Sequence, residues 1–326
     1  MRKFAVLRFV GAIALLQPAY AGIGAGIDAA GAAALGRPAT PSAVPSLVRP
    51  CGTLTGTPAV HQVLLIWEEN HDYSSVIGNP GAPELNRLAD QCGLATYYEA
   101  QTHPSLPNYL EMTSGLSYTS WPWVSDCDPQ GSCTTPARSI FSEIGATGRQ
   151  WRSYVEAMGN NCGLVSYGEY AAKHNPAVYY TSVRHECEAW DQPMGTPSAG
   201  PLQQALASGP MAVLTTLTPD LLDDMHDGTV AQADTWLAGW WPHLVASPAY
   251  RSGHLAVFIA WDEGTGSGNV TSHVPLIVMS AYTPAGTRST LAFDDYSVLA
   301  ALCQLTGVTR LGPASGAPGL VGPFHL

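Results

Sequence analysis

The centre of the chain reads Thr102-His103-Pro104-Ser105-Leu106-Pro107-Asn108-Tyr109 and continues to Ser114-Gly115. The preceding residues, 95–101, are rich in β-formers and predict a short strand. From Tyr109 onward, apolar residues recur at helical spacing, and Gly115 is a typical helix C-cap. The stretch therefore predicts that Ser105 lies where a strand turns into a helix.

A serine in this position is suited to one kind of chemistry. The first N–H groups of a helix lack intrahelical partners and carry the positive end of the helix dipole. An anion held there, and attack on it by a serine oxygen, are both favoured. The alternative is an ordinary N-cap serine beside a turn proline, and these residues alone leave that alternative open.

The N-terminal residues predict a secreted protein. A basic start and a short apolar run end at the small-residue site Ala19-Tyr20-Ala21, so residues 1–21 are predicted to be a signal peptide. Residues 22–50 are rich in Ala, Gly and Pro without periodicity and predict a linker. Residues 51–326 are long enough for one α/β domain. No later run reaches the 18 apolar residues typical of a membrane span.

The composition limits the classes of partner. The formal net charge is −11 at pH 7, with 14 Lys and Arg residues against 25 Asp and Glu. No basic run interleaved with aromatic residues is present to follow a nucleic-acid backbone, so we expect no nucleic-acid partner. An acidic protein that binds a phosphorylated substrate needs a cation among its carboxylates.

Seven cysteines in an exported chain predict disulfides. Three pairings are considered, two of them between cysteines close in sequence: Cys127–Cys133, Cys162–Cys187 and Cys51–Cys92. Cys303 lies in an apolar helical pattern and is predicted to be a free core thiol. None of the spacings is the C-x-x-C pair typical of a zinc site.

Apolar runs alternate with stretches of helical spacing. The run over residues 60–67 is typical of a strand buried on both faces of a parallel sheet. Further strands and helices are predicted, the strands over 151–156, 211–217, 254–261 and 274–279, and the helices over 83–92, 139–144 and 231–246. Residues 160–191 have a loop-like composition. Strands that alternate with helices predict an α/β fold with a doubly wound sheet.

Three of the predicted strands end in acid-rich turns, which are Glu68-Glu69-Asn70, residues 220–227 and Asp262-Glu263. The carboxyl ends of strands form the ligand crevice of open parallel sheets, so we expect these turns to meet near Ser105. Oxygen ligands together with histidine suit Mg, Ca, Mn or Zn, and the sequence does not choose among them. Taken singly, each turn is equally consistent with a helix cap or an ordinary loop.

Histidines near these turns are further candidates. Asp224 and His226 lie in one short loop, a pattern that occurs among metal ligands. His103 lies two residues before the serine, and His273 directly precedes a predicted strand. Both are also consistent with packing or surface roles. Two further histidines are interpreted as structural: His174 and His185.

Taken together, these blocks resemble the phosphoesterase family of bacterial acid phosphatases and phospholipases C, and are similar to its short secreted acid phosphatases of mycobacterial type. The matching blocks are Glu69-Asn70, the residues from His103 to Tyr109, Tyr170-x-x-Lys173-His174-x-Pro176, Asp224-Met225-His226-Asp227, Asp234-x-Trp236-Leu237, Trp261-Asp262-Glu263 and His273-Val274-Pro275. That family resembles the alkaline-phosphatase superfamily. The resemblance implies a three-layer α/β/α sandwich with a mainly parallel central sheet.

The resemblance also implies a role for each block. Ser105 is the expected nucleophile, and Asn108 is expected to donate to a phosphoryl oxygen. His103 and His226 are the remaining catalytic candidates, with His226 handling the leaving-group proton or binding a second metal. A divalent metal ion is expected on a set of acid, amide and imidazole side chains: Glu69, Asn70, Asp262, Glu263, Asp224, His226 and His273.

The sequence therefore predicts a secreted, metal-dependent acid phosphatase that hydrolyses phosphate monoesters, phosphoinositides among them, through a phosphoserine. Peripheral contact with a membrane surface is part of this expectation. One alternative is a phospholipase C with a wider, more apolar entrance. The aromatic residues Trp121, Trp123, Tyr179 and Tyr180 are the candidates for contact with lipid there, and they are equally consistent with core positions. Another is a catalytically silent exported binding protein on the same scaffold, although the clustered acids argue against it.

Overall fold

A mainly parallel eight-stranded sheet lies at the centre of the fold. The computed structural model describes residues 49–117, 119, 125–209, 211–268 and 270–326. Across these residues the strands are β1 (Gln62–Glu68), β2 (Gly93–Ala95), β3 (Tyr98–Ala100), β4 (Trp151–Val155), β5 (Asp191–Pro193), β6 (Leu214–Thr218), β7 (Leu255–Trp261), β8 (Ser272–His273), β9 (Leu276–Ser280), β10 (Thr287–Ser289) and β11 (Phe293–Asp294). The predicted signal peptide, and the predicted linker up to residue 48, lie outside the described residues.

The order of the large sheet is β10-β2-β9-β7-β1-β6-β4-β5, and β11, β3 and β8 form a small second sheet. Within the large sheet, β9 runs antiparallel to its two neighbours, β2 and β7. All the other pairs of neighbouring strands in this sheet are parallel. Every residue of β1 and β7 is buried, which agrees with their near-continuous apolar sequences. The predicted α/β fold is therefore confirmed.

The helices pack around this sheet in two groups. They are α1 (Tyr73–Val76), α2 (Pro83–Gln91), α3 (Ser105–Ser114), α4 (Ile140–Ala146), α5 (Arg184–Trp190), α6 (Pro201–Ser208), α7 (Val230–Ala246), α8 (Pro248–Arg251) and α9 (Asp295–Thr306). Contacts link α2, α6, α7 and α8 in one group, and α3, α4 and α9 in the other. This is the three-layer sandwich that the resemblance implied. Over the described residues, none of these helices combines the length and apolar character needed to cross a bilayer.

Helix α3 begins at Ser105 and ends where the sequence predicts. Its C-cap, Gly115, has a φ of 72°, and the Gly115 N–H donates to the carbonyl oxygen of Glu111 at 2.9 Å. A Cβ at this position would lie 2.7 Å from the carbonyl oxygen of Leu311, so glycine is required here both for conformation and for space. All ten residues of α3 are buried, so the helix is held on every side.

Two local predictions are wrong. Residues 95–101 do not form one strand, because β2 ends at Ala95 in the large sheet and β3 pairs in the small one. Residues 160–191 are not only loop, since they contain α5 and three short 3-10 helices.

Tyr179 and Tyr180 are fully buried and cannot line an apolar entrance. The other two candidates for that entrance, Trp121 and Trp123, lie outside the described residues.

Three disulfides join the predicted cysteine pairs, Cys51–Cys92, Cys127–Cys133 and Cys162–Cys187. Cys303 is buried in α9 as a free thiol, as predicted. Burial raises the pKa of this thiol to about 11, so it stays protonated and behaves as an apolar core side chain.

Candidate active site

Three neighbouring strands bring the acid-rich turns together. β7, β1 and β6 are adjacent and parallel, so their carboxyl ends lie side by side. Two backbone hydrogen bonds connect the turns, from Glu69 N–H to the Asp224 carbonyl oxygen at 2.8 Å and from Asp262 N–H to the Glu68 carbonyl oxygen at 3.0 Å. The turns after β1, β6 and β7 therefore form one continuous surface.

Ser105 faces this surface from the first turn of α3. Its hydroxyl is buried and lies 3.0 Å from Glu69 Oε2 and 3.2 Å from Glu263 Oε1. The serine thus contacts carboxylates that follow two different strands. The convergence expected from the sequence is present, and an ordinary N-cap contact does not account for these partners.

Glu69, Asp262 and Glu263 form a buried carboxylate cluster whose oxygens lie within 4.8 Å of one another. Burial and the neighbouring acids raise the pKa of all three groups, to about 9 for Glu263. Burial is the largest cause of the raised pKa for both Glu69 and Asp262. The next largest cause is the charge of Asp224 for Glu69, and the charge of Glu69 for Asp262. Three carboxylates this close cannot all ionise without a compensating cation.

The donor atoms fit a hard divalent ion. Neither carboxylate oxygen of Asp262 has a partner of good hydrogen-bond geometry, although both are buried. The side-chain oxygen of Asn70 is also buried without a partner. Asn70 has a φ of 48°, a left-handed conformation that asparagine tolerates better than most residues. Carboxylate and amide oxygens of this kind are the ligands that Mg, Ca and Mn prefer.

Glu68 does not join the cluster, although it precedes Glu69 directly. Successive side chains of a strand point to opposite faces. Both carboxylate oxygens of Glu68 are buried without a partner. Burial raises the pKa of Glu68 well above its usual range, and the carboxylates of Asp223 and Asp234 raise it further. The doublet of acids therefore supplies one residue to each face of the sheet.

His174 lies in the site, and its interpretation as a structural residue is wrong. Its Nε2 lies 3.1 Å from Glu69 Oε1 and its Nδ1 lies 3.1 Å from Asp224 Oδ2. Its ring stacks on Tyr109 at 5.4 Å, and the Tyr109 hydroxyl donates to Glu69. Burial lowers the pKa of His174, as do the charges of Lys173 and His226. His174 does not directly follow a strand, so a search for polar residues at strand ends does not find it. The family block that contains Lys173 and His174 is the sequence signal that indicates its place.

His226 and Asp224 lie beside His174. The rings of His226 and His174 are 5.4 Å apart, and the Asp224 side chain accepts the His226 backbone N–H at 2.8 Å. Donor atoms of Glu69, His174 and His226 lie within 4.8 Å of one another and form a second group that could hold a metal. His226 Nδ1 contacts Asp227 at 2.8 Å, and its side chain is about a quarter exposed. It therefore reaches the solvent side of the site.

His103 contacts the cluster directly. Its Nδ1 lies 2.8 Å from Glu263 Oε2, and its Nε2 lies 2.9 Å from the Ser272 hydroxyl. Burial lowers the pKa of His103, and the nearby Asp72 acts in the opposite direction. The imidazole is held between two fixed partners, so it orients Glu263 toward Ser105.

The structure places Asn108 and His273 differently from the expectation. The Asn108 amide donates to the Thr102 carbonyl at 2.9 Å and accepts the Thr102 N–H at 3.1 Å, so it braces the turn before Ser105 instead of facing a phosphoryl group. His273 is exposed, stacks on Tyr73 at 4.5 Å and contacts the Thr96 carbonyl. It is not among the groups of described residues that could hold a metal.

Comparison with known proteins identifies the family of this chain. Residues 79–309 match the model of the Phosphoesterase family. A phosphatidylinositol-3-phosphatase of Mycobacterium tuberculosis is 30% identical over 263 residues, 80% of this chain and 82% of that protein. An acid phosphatase of Aspergillus fumigatus is 23% identical over 78% of this chain, and the match spans 56% of that longer protein.

Solved structures support the fold. A protein of the alkaline phosphatase superfamily from Vibrio parahaemolyticus superposes with a TM-score of 0.51, covering 84% of this chain and 73% of that one at 10% identity. At this identity the likeness concerns the fold alone. The family that the motifs indicated is confirmed by the family match and by the mycobacterial relative. The chain belongs to the Phosphoesterase family and is a phosphoric ester hydrolase.

Proposed function

We propose that the protein is a metal-dependent phosphatase that hydrolyses phosphate monoesters with Ser105 as its nucleophile. The observation that carries this proposal is the contact of the Ser105 hydroxyl with both Glu69 and Glu263. A serine buried among carboxylates at a helix N-terminus is unfavourable as a purely structural feature, because the acids repel one another. It is favourable where a cation and a phosphoryl group enter the same site.

The first covalent step transfers the phosphoryl group to the serine. Ser105 Oγ attacks phosphorus, its proton passes to Glu69 or Glu263, and the ester P–O bond breaks. His226, which reaches solvent, is the group that we propose gives a ring proton to the leaving alkoxide. The N–H groups of Ser105 and Leu106 would donate to the transferring oxygens, where placement of charge supplies most of the rate.

The second step restores the enzyme. Water attacks the phosphoserine and gives its proton to His226, the bond between Oγ and phosphorus breaks, and inorganic phosphate leaves. The serine oxygen recovers its proton from the carboxyl group that accepted it. His226 is connected to the site because its backbone N–H donates to Asp224 and its ring lies beside that of His174.

The residues that would hold a divalent ion are Glu69, Asn70, Asp262 and Glu263. A second ion on Glu69, His174 and His226 would be the alternative to proton transfer by His226, because a metal-bound imidazole nitrogen has no proton to give. When bound, such an ion lowers the pKa of the serine hydroxyl and neutralises charge on the phosphate oxygens. His103 and Tyr109 orient Glu263 and Glu69 by the hydrogen bonds described above.

The proposed substrate is a phosphorylated small molecule or a phosphoinositide. The name of the mycobacterial relative supports the phosphoinositide, and the match extends over most of both chains. Contact with a membrane surface is proposed on the same ground. Three disulfides support export into an oxidising compartment, together with the signal-like residues 1–21. The alternatives of a phospholipase C or a silent binding protein gain no support from a specific contact.

The test of this function is a comparison of monoester with diester hydrolysis. We expect release of phosphate from p-nitrophenyl phosphate and from phosphatidylinositol 3-phosphate with added divalent metal. We expect kcat/KM for p-nitrophenyl phosphate to exceed that for bis-p-nitrophenyl phosphate by more than about tenfold, or ~1.4 kcal/mol of transition-state binding. Faster hydrolysis of the diester, or of phosphatidylcholine, would instead favour the phospholipase.

A further inference from the structure

The first turn of α3 has few hydrogen-bond donors to offer an anion. A helix normally leaves its first four N–H groups without intrahelical partners. Here the N-cap is Pro104 and the third helical residue is Pro107, and neither has a backbone N–H. Of these four positions, only Ser105 and Leu106 therefore carry an N–H that could bind a phosphoryl oxygen.

A side chain of the protein already binds one of these donors. Asp126 Oδ1 accepts the Leu106 N–H at 3.1 Å, and Asp126 Oδ2 lies 2.9 Å from Lys173 Nζ. The same ammonium group lies 3.1 Å from His226 Nε2. The Asp126 carboxylate thus bridges a helix N–H and a cation, next to the nucleophile, as a phosphoryl group would.

Lys173 is the principal cation at this position. The chain has two lysines, and the other is Lys3 in the predicted signal peptide. Its ammonium group lies 2.9 Å from the Asp126 carboxylate, at ion-pair distance. The ammonium group is charged, and Asp126 neutralises it.

We propose that Asp126 is a resident anion that occupies the phosphoryl position beside Ser105, and that a substrate must displace its carboxylate from Leu106 and Lys173. This inference rests on the proposed function and adds a determinant of substrate class to it. A dianionic monoester competes with a carboxylate for two donors better than a monoanionic diester does. The Asp126 side chain is about one-third exposed, so it can turn toward solvent when displaced.

A purely structural role for Asp126 makes the opposite prediction. If its contacts only held Leu106 and Lys173 in place, their loss would disorder the site and weaken phosphate binding. If the carboxylate competes with phosphate, its loss frees an N–H and an ammonium group and strengthens binding. The sign of the change in affinity therefore separates the two roles.

The experiment compares Asp126→Asn with the wild-type full-length protein, loaded with divalent metal. We measure the dissociation constant of inorganic phosphate by calorimetry and KM and kcat for p-nitrophenyl phosphate. We expect Asp126→Asn to bind phosphate about tenfold more tightly and to have a KM lower by a similar factor. The reason is that the charged carboxylate no longer competes with phosphate for the Leu106 N–H and the Lys173 ammonium group. The change in kcat is expected to be smaller, and the gain in affinity is expected to shrink at high salt.

The matched control is Asp128→Asn, in the same loop, whose carboxylate accepts the Ser166 hydroxyl instead. It should leave both constants unchanged. Asp126→Ala is the second variant, and it should act in the same direction as Asp126→Asn, with circular dichroism to show that both fold. Unchanged or weaker phosphate binding by these variants overturns the inference while the wild type remains a phosphatase. A wild type that neither binds phosphate nor hydrolyses monoesters overturns the proposed function and this inference together.

Discussion

Replacing Ser105 by alanine is expected to lower kcat for p-nitrophenyl phosphate by at least about a thousandfold, because removal of a nucleophile eliminates the covalent step. The fold should remain, since the side-chain hydroxyl makes its hydrogen bonds with Glu69 and Glu263 and not with the packing core. Steady-state kinetics and thermal unfolding followed by circular dichroism measure the two effects on one preparation.

The control for this variant is Ser114→Ala at the other end of α3. The Ser114 hydroxyl donates to the Leu110 carbonyl within the helix and has no contact with the acids of the site. It should retain activity close to that of the wild type. If Ser105→Ala keeps more than a tenth of the activity, Ser105 is not the nucleophile.

Removal of divalent metal is expected to abolish activity, and its return should restore it. Asp262→Asn should reproduce the effect of chelation, with metal affinity at least about a hundredfold weaker. The reason is that both Asp262 oxygens are buried without well-placed partners, beside the carboxylates of Glu69 and Glu263. Calorimetric titration of the metal-free protein measures the affinity, and phosphate release measures the activity.

The same titration should depend on pH with a definite sign. Burial and mutual repulsion raise the pKa of Glu69, Asp262 and Glu263, in the last case to about 9, so the metal-free cluster holds protons near neutral pH. An entering cation must displace them. We therefore expect metal affinity to rise as pH rises toward 9 and to fall toward acid pH. Titrations in two buffers of different ionisation enthalpy count the released protons.

A second acidic group gives the matched control for the metal experiments. Glu156, Asp220 and Asp223 also place donor atoms within 4.8 Å of one another, but they are more exposed and have no contact with Ser105. Asp223→Asn should leave metal-dependent activity intact. Full activity after exhaustive chelation would contradict the metal requirement, and an equal loss in Asp223→Asn would place the metal elsewhere.

The fold was predictable because its central strands have an unambiguous pattern. β7 is apolar along its whole length and β1 is apolar from Val63 to Trp67, and both are buried on both faces, so their sequences identify a parallel sheet. The convergence of Glu69, Asp262 and Ser105 followed from the rule that the carboxyl ends of parallel strands share one edge. These predictions needed no knowledge of side-chain contacts.

Other parts of the site depend on tertiary contacts that no local pattern records. His174 is the last residue of a short 3-10 helix inside a loop-like stretch, so only its contacts with Glu69 and Asp224 identify its position. His273 lies in a two-residue strand whose alternation turns its ring outward while Ser272 faces His103. The motif predicts that Asn108 donates to a phosphoryl oxygen, but its side-chain amide is hydrogen-bonded to the backbone of Thr102 instead.

Acid-quenched protein, taken during turnover of a phosphate monoester and mapped by peptide mass spectrometry, tests the central claim most directly. Phosphate should be found on the peptide that contains Ser105, and the signal should be absent from Ser105→Ala. Phosphate on another residue, or steady turnover in which no phosphorylated peptide accumulates even in single-turnover sampling, would contradict attack by this serine.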